Sequence, residues 1–414
     1  MEQIESDPVG SEPTAEEQPN KKTNRTARRL ITAVLWVLSV ALTATLTYFL
    51  TRHAGLSESS ILTDALSIIR EHYYFYDPDE DHLLDGAIEG MADSLNDVYA
   101  EYYSKEEYDA LTQTNSGYYT GVGILLAQKD VGVFEIQSVY DDTPAARAGI
   151  LAGDYLIAIN GTAADGLDIS TFLTYMKTED GDENELVLQR GTETLTVTAI
   201  AERIYMPRVS CRMLTDTIGY IRLSAFHGEC VEEMKNAIEE LREQGMQSLV
   251  FDLRDNPGGD LYAATDIADL FLSKDLVITS LRSKTEETVT YQTKTEGYVF
   301  PMTVLVNGNS GSASELVTGA LKDHGRAYII GTQTYGKGIV QTYLPVTGTG
   351  GRLKLTTEAY YTPSGVCIHE VGITPDAVVE NPEEAKEYAI GSIPEELDEQ
   401  LSAAVQYLNG LSAQ

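Results

Sequence analysis

The stretch "VLVNGNSGSASELVTGALKDHGRAYIIG", residues 304–331, decides the fold class of this chain. It opens with an apolar strand pattern, passes through a loop rich in glycine and serine, and continues through a helix pattern into a second strand pattern. The apolar face of the helix carries Leu316, Val317, Ala320 and Leu321. This alternation starts at Ile218 and predicts an α/β core with a site at the carboxyl ends of its strands.

Two loops of this core contain residues of the kind found in hydrolase active sites. The loop "RDNPGG", residues 254–259, follows a strand pattern, and its paired glycines leave backbone N–H groups unobstructed, as in an oxyanion hole. The loop "GNSGSASE", residues 308–315, leads into a helix, so a serine there lies near the positive end of the helix dipole. Nucleophiles of other hydrolases occupy such a turn, although a serine can also simply cap the helix.

Lys337 lies in "GTQTYGKGIVQ", residues 331–341, which nearly matches a phosphate-binding loop. The match fails because Gly338 replaces the hydroxyl residue and because a strand pattern, not a helix, follows. A nucleophilic serine requires a base, and no histidine lies in a comparable loop. Lysine can act as a base when burial lowers its pKa, and Lys337 has no acidic neighbour in sequence.

Composition limits the classes of function. A chain of 414 residues is long enough for two or three domains, and a net charge of −35 argues against a nucleic-acid partner. The 3 cysteines and 6 histidines are scattered without metal-ligand spacing. The sequence therefore predicts no metal and no cofactor.

Residues 30–50 are apolar over about the length that spans a bilayer. The basic residues on their N-terminal side are Lys21, Lys22, Arg25, Arg28 and Arg29. This asymmetry predicts a cytoplasmic tail (1–29), disordered over residues 1–20, a transmembrane helix (30–50), and a catalytic part outside the cell membrane. The alternative is a cleaved signal peptide, which favours a shorter apolar region and a small-x-small cleavage site.

The sequence pattern divides the chain after the apolar segment into four regions. Residues 53–116 carry apolar residues at helical spacing and predict a helical region. Residues 117–203 contain short alternating strands, and "TPAARAGILAGDYLIAING" within them resembles a PDZ domain. The α/β core covers 204–382, and a helical segment covers 383–414.

A PDZ fold binds an extended peptide by strand addition and captures its terminal carboxylate on loop amides. The resemblance places that loop at Thr120, Gly121, Val122 and Gly123, where glycines allow N–H groups to converge on an anion. The alternative is that these glycines only make a tight strand entry.

Four ordered motifs resemble the C-terminal processing peptidases, also called tail-specific proteases. They are "FDLRDNPGGDL", "VLVNGNSGSASELVTGALKDHGRAYIIGTQTYGKGIVQT", "TTEAYYTPSG" and "GITPD". The resemblance runs from about residue 57 to the closing helix "LDEQLSAAVQYL". It implies an α+β multidomain chain whose α/β core is of the crotonase or ClpP-like kind and cuts peptide bonds with a serine–lysine dyad.

By this resemblance Ser312 is the nucleophile, rather than Ser310 or Ser314, and Lys337 is the general base. Gln341 matches the residue that orients the lysine, and on a strand it would share a face with Lys337. The amides of Gly258 and Ala313 match the oxyanion hole.

The resulting prediction is a membrane-anchored, extracytoplasmic serine endopeptidase whose PDZ domain recognises substrate C-termini and gates activity. Its partners are proteins or peptides with exposed C-termini and the membrane, with a homodimer left open. The competing prediction is a catalytically silent PDZ adaptor. The sequence departs from the family pattern at Asp260, Cys367 and His369, and it lacks the usual proline in "DVYAEYYS". These differences bear on substrate preference and not on the catalytic chemistry.

Overall fold

The computed structural model describes residues 25–54, 58–285 and 287–412. The predicted disordered segment 1–20, with Lys21 and Lys22 of the basic cluster, lies outside these ranges. The chain forms two units, residues 1–84 and 85–414, and each is described by itself.

The first unit is helical. It contains α1 (Arg25–Ala54), α2 (Glu58–His72) and the start of α3 (Glu80–Asp93), and Pro78 lies between α2 and α3. Within the described residues, α1 alone is long and apolar enough to cross a membrane, over Arg29–Tyr48. A signal sequence near an N-terminus has the same properties, so the helix fits an anchor or a signal.

The second unit begins with short elements that lead into the PDZ domain. These are β1 (Glu101–Tyr103), α4 (Lys105–Asn115), β2 (Tyr118–Gly121), β3 (Ile124–Asp130), β4 (Val133–Val139), α5 (Pro144–Arg147), β5 (Tyr155–Ile159), β6 (Thr162–Ala163), α6 (Ile169–Leu173), β7 (Glu183–Arg190), β8 (Glu193–Ile200) and β9 (Glu202–Tyr205). Strands β3, β4, β5, β7 and β8 form an antiparallel sheet, with β6 paired to β5.

The PDZ sheet packs around its own apolar core, and buried and exposed residues alternate along its strands. In β7 every second residue from Asn184 to Leu188 is buried, which is the period expected of a strand with one face in a core. Phe134 and Phe172 stack in that core with ring centroids 4.7 Å apart. Strands β2 and β9, which enter and leave the domain, pair with each other as a two-stranded ribbon.

The remaining elements build the α/β core. They are β10 (Val209–Met213), β11 (Ile218–Leu223), α7 (Cys230–Glu243), β12 (Ser248–Asp252), α8 (Leu261–Asp269), β13 (Val277–Ser283), β14 (Thr288–Gln292), β15 (Met302–Val306), α9 (Ala313–Asp323), β16 (Tyr328–Gly331), β17 (Ile339–Pro345), β18 (Arg352–Tyr361), β19 (Ala377–Val378), a 3₁₀ turn (Glu383–Glu387) and α10 (Glu399–Ser412). One sheet has the order β10-β11-β12-β15-β16-β19, and all pairs from β11 to β19 are parallel.

Helices cover both faces of this sheet, which explains why β12 and β15 are buried at every residue. Residues of α7, α8 and α9 pack into one apolar cluster, whereas Leu401, Ala404 and Leu408 of α10 pack into another. A second, antiparallel sheet has the order β1-β18-β13-β14, with β17 paired to β18. The predicted mixed α/β multidomain fold is therefore confirmed.

The strand order fixes where a site can form. β12, β15 and β16 are neighbours and run in parallel, so the segments after their carboxyl ends meet at one edge of the sheet. Those segments contain residues 254–259, 308–315 and 332–338, which carry the chemistry-bearing residues of the sequence.

Candidate active site

Ser312 occupies the turn between β15 and α9 with a strained backbone. Its φ of 54° and ψ of −114° lie in a region that a residue with a Cβ rarely adopts. Two buried groups hold this conformation: Glu315 accepts the Ser312 N–H at 2.9 Å, and the Tyr360 hydroxyl donates to the Ser312 carbonyl oxygen at 2.9 Å. Burial raises the pKa of Tyr360 well above its ordinary value, which keeps this hydroxyl a donor.

The two neighbouring serines have other tasks. Ser310 and Ser314 are fully buried, and their hydroxyl groups donate to the carbonyl oxygens of Leu253 and Asn256, each at 2.8 Å. Both bonds tie the serine turn to the loop that follows β12. Of the three serines in this loop, Ser312 is the one that lines the cavity described below.

Glu315 joins the serine turn to the loop that carries Lys337. Its carboxylate is fully buried. One oxygen accepts the backbone N–H groups of Ser312 and Lys337, at 2.9 and 2.8 Å. The other accepts the Thr334 hydroxyl at 2.5 Å and the Gly336 N–H at 2.7 Å. Both loops are therefore fixed to one rigid group.

Lys337 has the environment that a lysine base requires. Burial lowers the pKa of its amine, the positive charge of Lys354 lowers it further, and Asp97 opposes both effects. Its Nζ lies 4.7 Å from the centroid of the Tyr99 ring. Burial and Lys354 therefore favour the neutral amine more than water does, whereas the ring of Tyr99 favours the ammonium ion.

Ser312 and Lys337 line the same cavity, which has a volume of about 860 Å³. The other side chains around it are largely apolar or aromatic, and they include Leu261, Tyr262, Leu281, Val289, Tyr291, Leu316, Ile339, Val340, Tyr343 and Tyr360. His227 also lies on its wall, and burial lowers the pKa of that histidine. Among the described contacts, no hydrogen bond joins Lys337 Nζ to Ser312 Oγ.

Gly258 and Ala313 lie side by side, but their amides differ. A Cβ on Gly258 would lie 2.8 Å from the Ala313 nitrogen and 2.8 Å from the Ser312 Cβ. The Gly258 N–H donates to Asn256 Oδ1 at 2.9 Å, as expected of an Asx turn. It can therefore join an oxyanion hole only when Asn256 releases it, whereas the Ala313 N–H has no protein acceptor in the described part of the chain.

Gln341 lines the cavity, but not for the reason expected from strand alternation. Lys337 precedes β17, which begins at Ile339, and the pairing of β17 with β18 shifts register between Val340 and Gln341. The residue skipped in this register is Thr357 of β18, so the irregularity lies in the partner strand. Because Lys337 itself precedes the strand, alternation along β17 does not relate its side chain to that of Gln341, and the orienting role of Gln341 stays a prediction. Gln341 Nε2 donates to Thr356 Oγ1 at 3.3 Å.

Comparisons with known proteins identify the family of this chain. The model of peptidase family S41 matches residues 217–379. The carboxy-terminal-processing protease of Bartonella bacilliformis is 38% identical over 313 residues, which cover 74% of this chain and 71% of that protein. The chain belongs to peptidase family S41. It is a serine peptidase of the carboxy-terminal-processing type, as the sequence motifs predicted.

Other S41 relatives extend the match. A probable CtpA-like serine protease of Staphylococcus aureus is 33% identical over 313 residues, and this chain covers 62% of its length. A PDZ model matches residues 135–190, and a model of the N-terminal domain of the activating protease CtpB matches residues 47–107. A putative S41 protease from Bacteroides fragilis has the same fold, with a TM-score of 0.54 at 16% identity over 84% of this chain and 97% of that one.

The predicted carboxylate loop of this S41 peptidase lies at the entry to the PDZ domain. Thr120 and Gly121 belong to β2 and pair with β9, and Val122 is buried in the PDZ core. Gly123 has a φ of 89°, and a Cβ on it would lie 2.3 Å from the Thr143 side chain. Only glycine fits at this position. The close approach of the Thr143 side chain therefore explains why residue 123 is a glycine, whether or not the loop binds a carboxylate.

The departures from the family pattern have local explanations in part. Asp260 caps α8, because its side chain accepts the Ala263 N–H at 2.8 Å. The backbone of His369 packs against Gly338, where a Cβ would lie 2.4 Å from the His369 nitrogen. Nothing in the structure explains Cys367, which is a free cysteine.

Several residues around the S41 site were not predicted from the sequence. They are Glu315, Tyr360, Lys354, His227, Asn256 and Tyr99. Glu315 had a recognisable signal, since a serine followed three residues later by glutamate at a helix start is a capping-box pattern. Asn256 also had one, since Asn-Pro-Gly in the loop 254–259 favours an Asx turn. The other four residues come from distant segments and have no local signal.

Proposed function

We propose that this S41 peptidase is an endopeptidase in which Ser312 is the nucleophile and Lys337 is the general base. One observation carries the proposal: a single buried carboxylate, Glu315, binds the backbone amides of both residues at the wall of one cavity. Positioning of reacting groups by a rigid scaffold is a main source of rate enhancement.

In the proposed reaction the neutral Lys337 amine takes the hydroxyl proton of Ser312 while Oγ attacks the scissile carbonyl carbon. The oxyanion that forms accepts the Ala313 N–H and, once Asn256 releases it, the Gly258 N–H. The Lys337 ammonium then donates its proton to the leaving amine, and an acyl-ester remains on Ser312. Water, deprotonated by Lys337, releases the second product and restores the serine.

Gln341 is proposed to orient Lys337 during this cycle. It lines the same cavity, and its amide is anchored by Thr356 on β18. The amide would have to turn toward the lysine, because its present partner lies on the neighbouring strand.

The PDZ domain is proposed to recognise substrate C-termini and to gate the cavity. Support comes from α4, whose residues Tyr108, Leu111 and Thr112 line the cavity wall. This helix runs through Ser116 and Gly117 directly into the ribbon β2–β9 at the base of the PDZ domain. A movement of that domain on its ribbon would therefore move one wall of the cavity.

The proposed location is the outer face of a cell membrane, with α1 as an uncleaved anchor. The length of the apolar segment and the basic residues before it support this orientation. Protease added to intact cells should digest the region after residue 53. Protection of that region, with digestion of the N-terminal tail instead, would reverse the orientation, and a mature protein lacking residues 1–50 would identify a signal sequence.

A serine-reactive fluorophosphonate probe separates the peptidase from the silent adaptor. The wild-type protein should incorporate the probe and cleave peptides, while Ser312→Ala should do neither and still unfold cooperatively. An adaptor would bind peptides at its PDZ domain and leave the probe unincorporated.

A further inference from the structure

The amine of Lys337 lies over an aromatic ring. Its Nζ lies 4.7 Å from the centroid of the Tyr99 ring, within the range of a cation–π contact. In the described part of the chain Nζ donates no hydrogen bond to Ser312 or to any other acceptor. The ring therefore takes the place of a hydrogen-bonding partner for this lysine.

Tyr99 is fixed in front of the lysine by its own segment. Its backbone N–H donates to Asp97 Oδ1 at 2.9 Å, and the Ala100 N–H donates to the Asp97 carbonyl oxygen at 3.0 Å. The next residues form β1, which pairs with β18 in the register Glu101↔Lys354. The ring therefore lies between a turn closed by Asp97 and a strand that is paired with β18.

The ring comes from a different part of the sequence than the lysine. Tyr99 lies in residues 47–107, which match the N-terminal domain of CtpB, whereas Lys337 lies in the S41 region. Both belong to the unit 85–414. A residue of the N-terminal domain thus touches the amine of the proposed base.

The charged groups that face Lys337 act in both directions. Lys354 on β18 disfavours the ammonium and Asp97 favours it, while the Glu315 carboxylate is occupied by four donors, one of them the Lys337 backbone N–H. Burial and a hydrogen bond to Tyr335 raise the pKa of Tyr99, so its ring stays neutral and keeps its electron-rich face. A neutral ring attracts the ammonium form of lysine and not the amine.

We propose that Tyr99 is a positioning residue that holds Lys337 as an ammonium ion in the free protein, and that the lysine must leave this ring and release one proton to water before its amine can take the proton of Ser312. The inference rests on the proposed function, in which Lys337 is the base. Peptide binding against the neighbouring cavity wall would then include displacement of the lysine from the ring. If the ring of Tyr99 were only an apolar surface, it would favour the neutral amine. The pKa of Lys337 would then not depend on the electron density of the ring.

The test replaces Tyr99 by phenylalanine and by phenylalanines with increasing numbers of ring fluorines, in the full chain in detergent. Fluorine withdraws electron density from the ring face and changes its size little, so folding and the shape of the wall are kept. The measurement is the rate of Ser312 labelling by a fluorophosphonate probe against pH, which reports the base in the free protein. Melting temperatures of the series serve as the folding control.

Tyr99→Phe should keep the apparent pKa of labelling. Fluorination should lower that pKa stepwise by about half to one unit in total, which means about a three- to tenfold faster labelling on the acidic side of the profile. An apparent pKa that is the same across the fluorinated series would overturn the inference, and so would a uniform loss of rate without a shift. Lys337→Met tests the underlying function separately, since labelling that survives this substitution refutes the base assignment whatever the fluorinated series shows.

Discussion

Glu315 accepts the backbone N–H of Lys337 at 2.8 Å with the same oxygen that accepts the N–H of Ser312 at 2.9 Å. The proposed nucleophile and base lie on segments that follow different strands, yet one carboxylate sets the distance between their backbones. This explains why a charged residue is fully buried at the start of α9. Buried charges persist where hydrogen bonds satisfy them, and this carboxylate accepts four.

Glu315→Gln should lower both stability and turnover. Glutamine offers one oxygen and one NH₂ group, so two of the four donors would face another donor. We expect the free energy of unfolding to fall by about 2–4 kcal/mol, because buried donors lose their acceptors. We expect kcat to fall about 10- to 100-fold with a smaller change in KM, because the two loops lose their common anchor.

Denaturant unfolding and peptide hydrolysis measure the two effects. Glu399→Gln is the matched control, because Glu399 is an exposed glutamate in the first turn of α10. If Glu315→Gln behaved like this control, the carboxylate would not hold the site together.

Lys354→Met should move the pH profile of hydrolysis. Lys354 lines the cavity and lowers the pKa of Lys337, and its side chain pairs with Glu101 at 3.2 Å. Removal of this cation raises the pKa of Lys337, so less of the amine is neutral at a given pH. The rising limb of kcat/KM should shift by about half to one unit toward higher pH.

The control for this shift is Lys294→Met, which removes a lysine whose side chain is 78% exposed and which lies outside the cavity. Both variants lose one positive charge, so an effect of net charge alone would move both profiles equally. Equal shifts, or a shift toward lower pH in Lys354→Met, would refute the electrostatic role of Lys354.

Gly258→Ala should abolish most activity while the protein remains folded. Gly258 has a φ of 106°, and the new Cβ would press on the Ala313 nitrogen and the Ser312 Cβ at 2.8 Å. Gly245→Ala is matched in backbone strain, with a φ of 100°, but its Cβ would meet only one atom at 3.5 Å. Gly245→Ala should lose about 1–2 kcal/mol of stability through its positive φ, and Gly258→Ala should lose more, because its Cβ also meets backbone atoms at 2.8 Å. Only Gly258→Ala should lose about 10²-fold or more in kcat/KM. A comparable loss in both variants would place the effect in the fold and not in the oxyanion site.

Gly123→Ala tests the PDZ loop. The added Cβ would lie 2.3 Å from the Thr143 side chain, so the loop must move. The variant should lose its preference for peptides with a free C-terminal carboxylate over amidated ones, while probe labelling of Ser312 persists. Gly153→Ala, with nearly the same φ and open space around its Cβ, should keep the preference. A preserved preference in Gly123→Ala would show that the carboxylate is bound elsewhere.

The sequence could predict those parts of the site that depend on local pattern. The strand–turn–helix around Ser312 follows from a hydrophobic period that changes at residue 307, and the parallel order of β12, β15 and β16 brings Lys337 to the same edge. The motifs of the S41 family identified the same two residues. Local propensity and strand order were sufficient for this part.

The rest depends on contacts that no local pattern encodes. Lys337 lies before β17, which begins at Ile339, so the relation between its side chain and that of Gln341 could not be predicted from strand alternation. Tyr99 and Lys354 meet Lys337 through packing of distant segments. The bond from Gly258 to Asn256 was predictable in principle, since Asn-Pro-Gly favours an Asx turn.

The most direct test of Lys337 as the base is kcat/KM against pH for the full chain, with Lys337→Arg and His227→Gln beside the wild type. Arginine keeps the charge but does not deprotonate in proteins, so it cannot replace a lysine base. His227 is the control because it is the histidine on the cavity wall, and a histidine base would give a limb at or below about pH 6.5.

Wild-type activity should rise with pH through an apparent pKa below the value of about 10.4 for an exposed lysine. His227→Gln should keep the position of that limb, and Lys337→Arg should retain less than about a hundredth of the wild-type rate. An active Lys337→Arg protein, or a limb near pH 6 that disappears in His227→Gln, would contradict the assignment of Lys337 as the base.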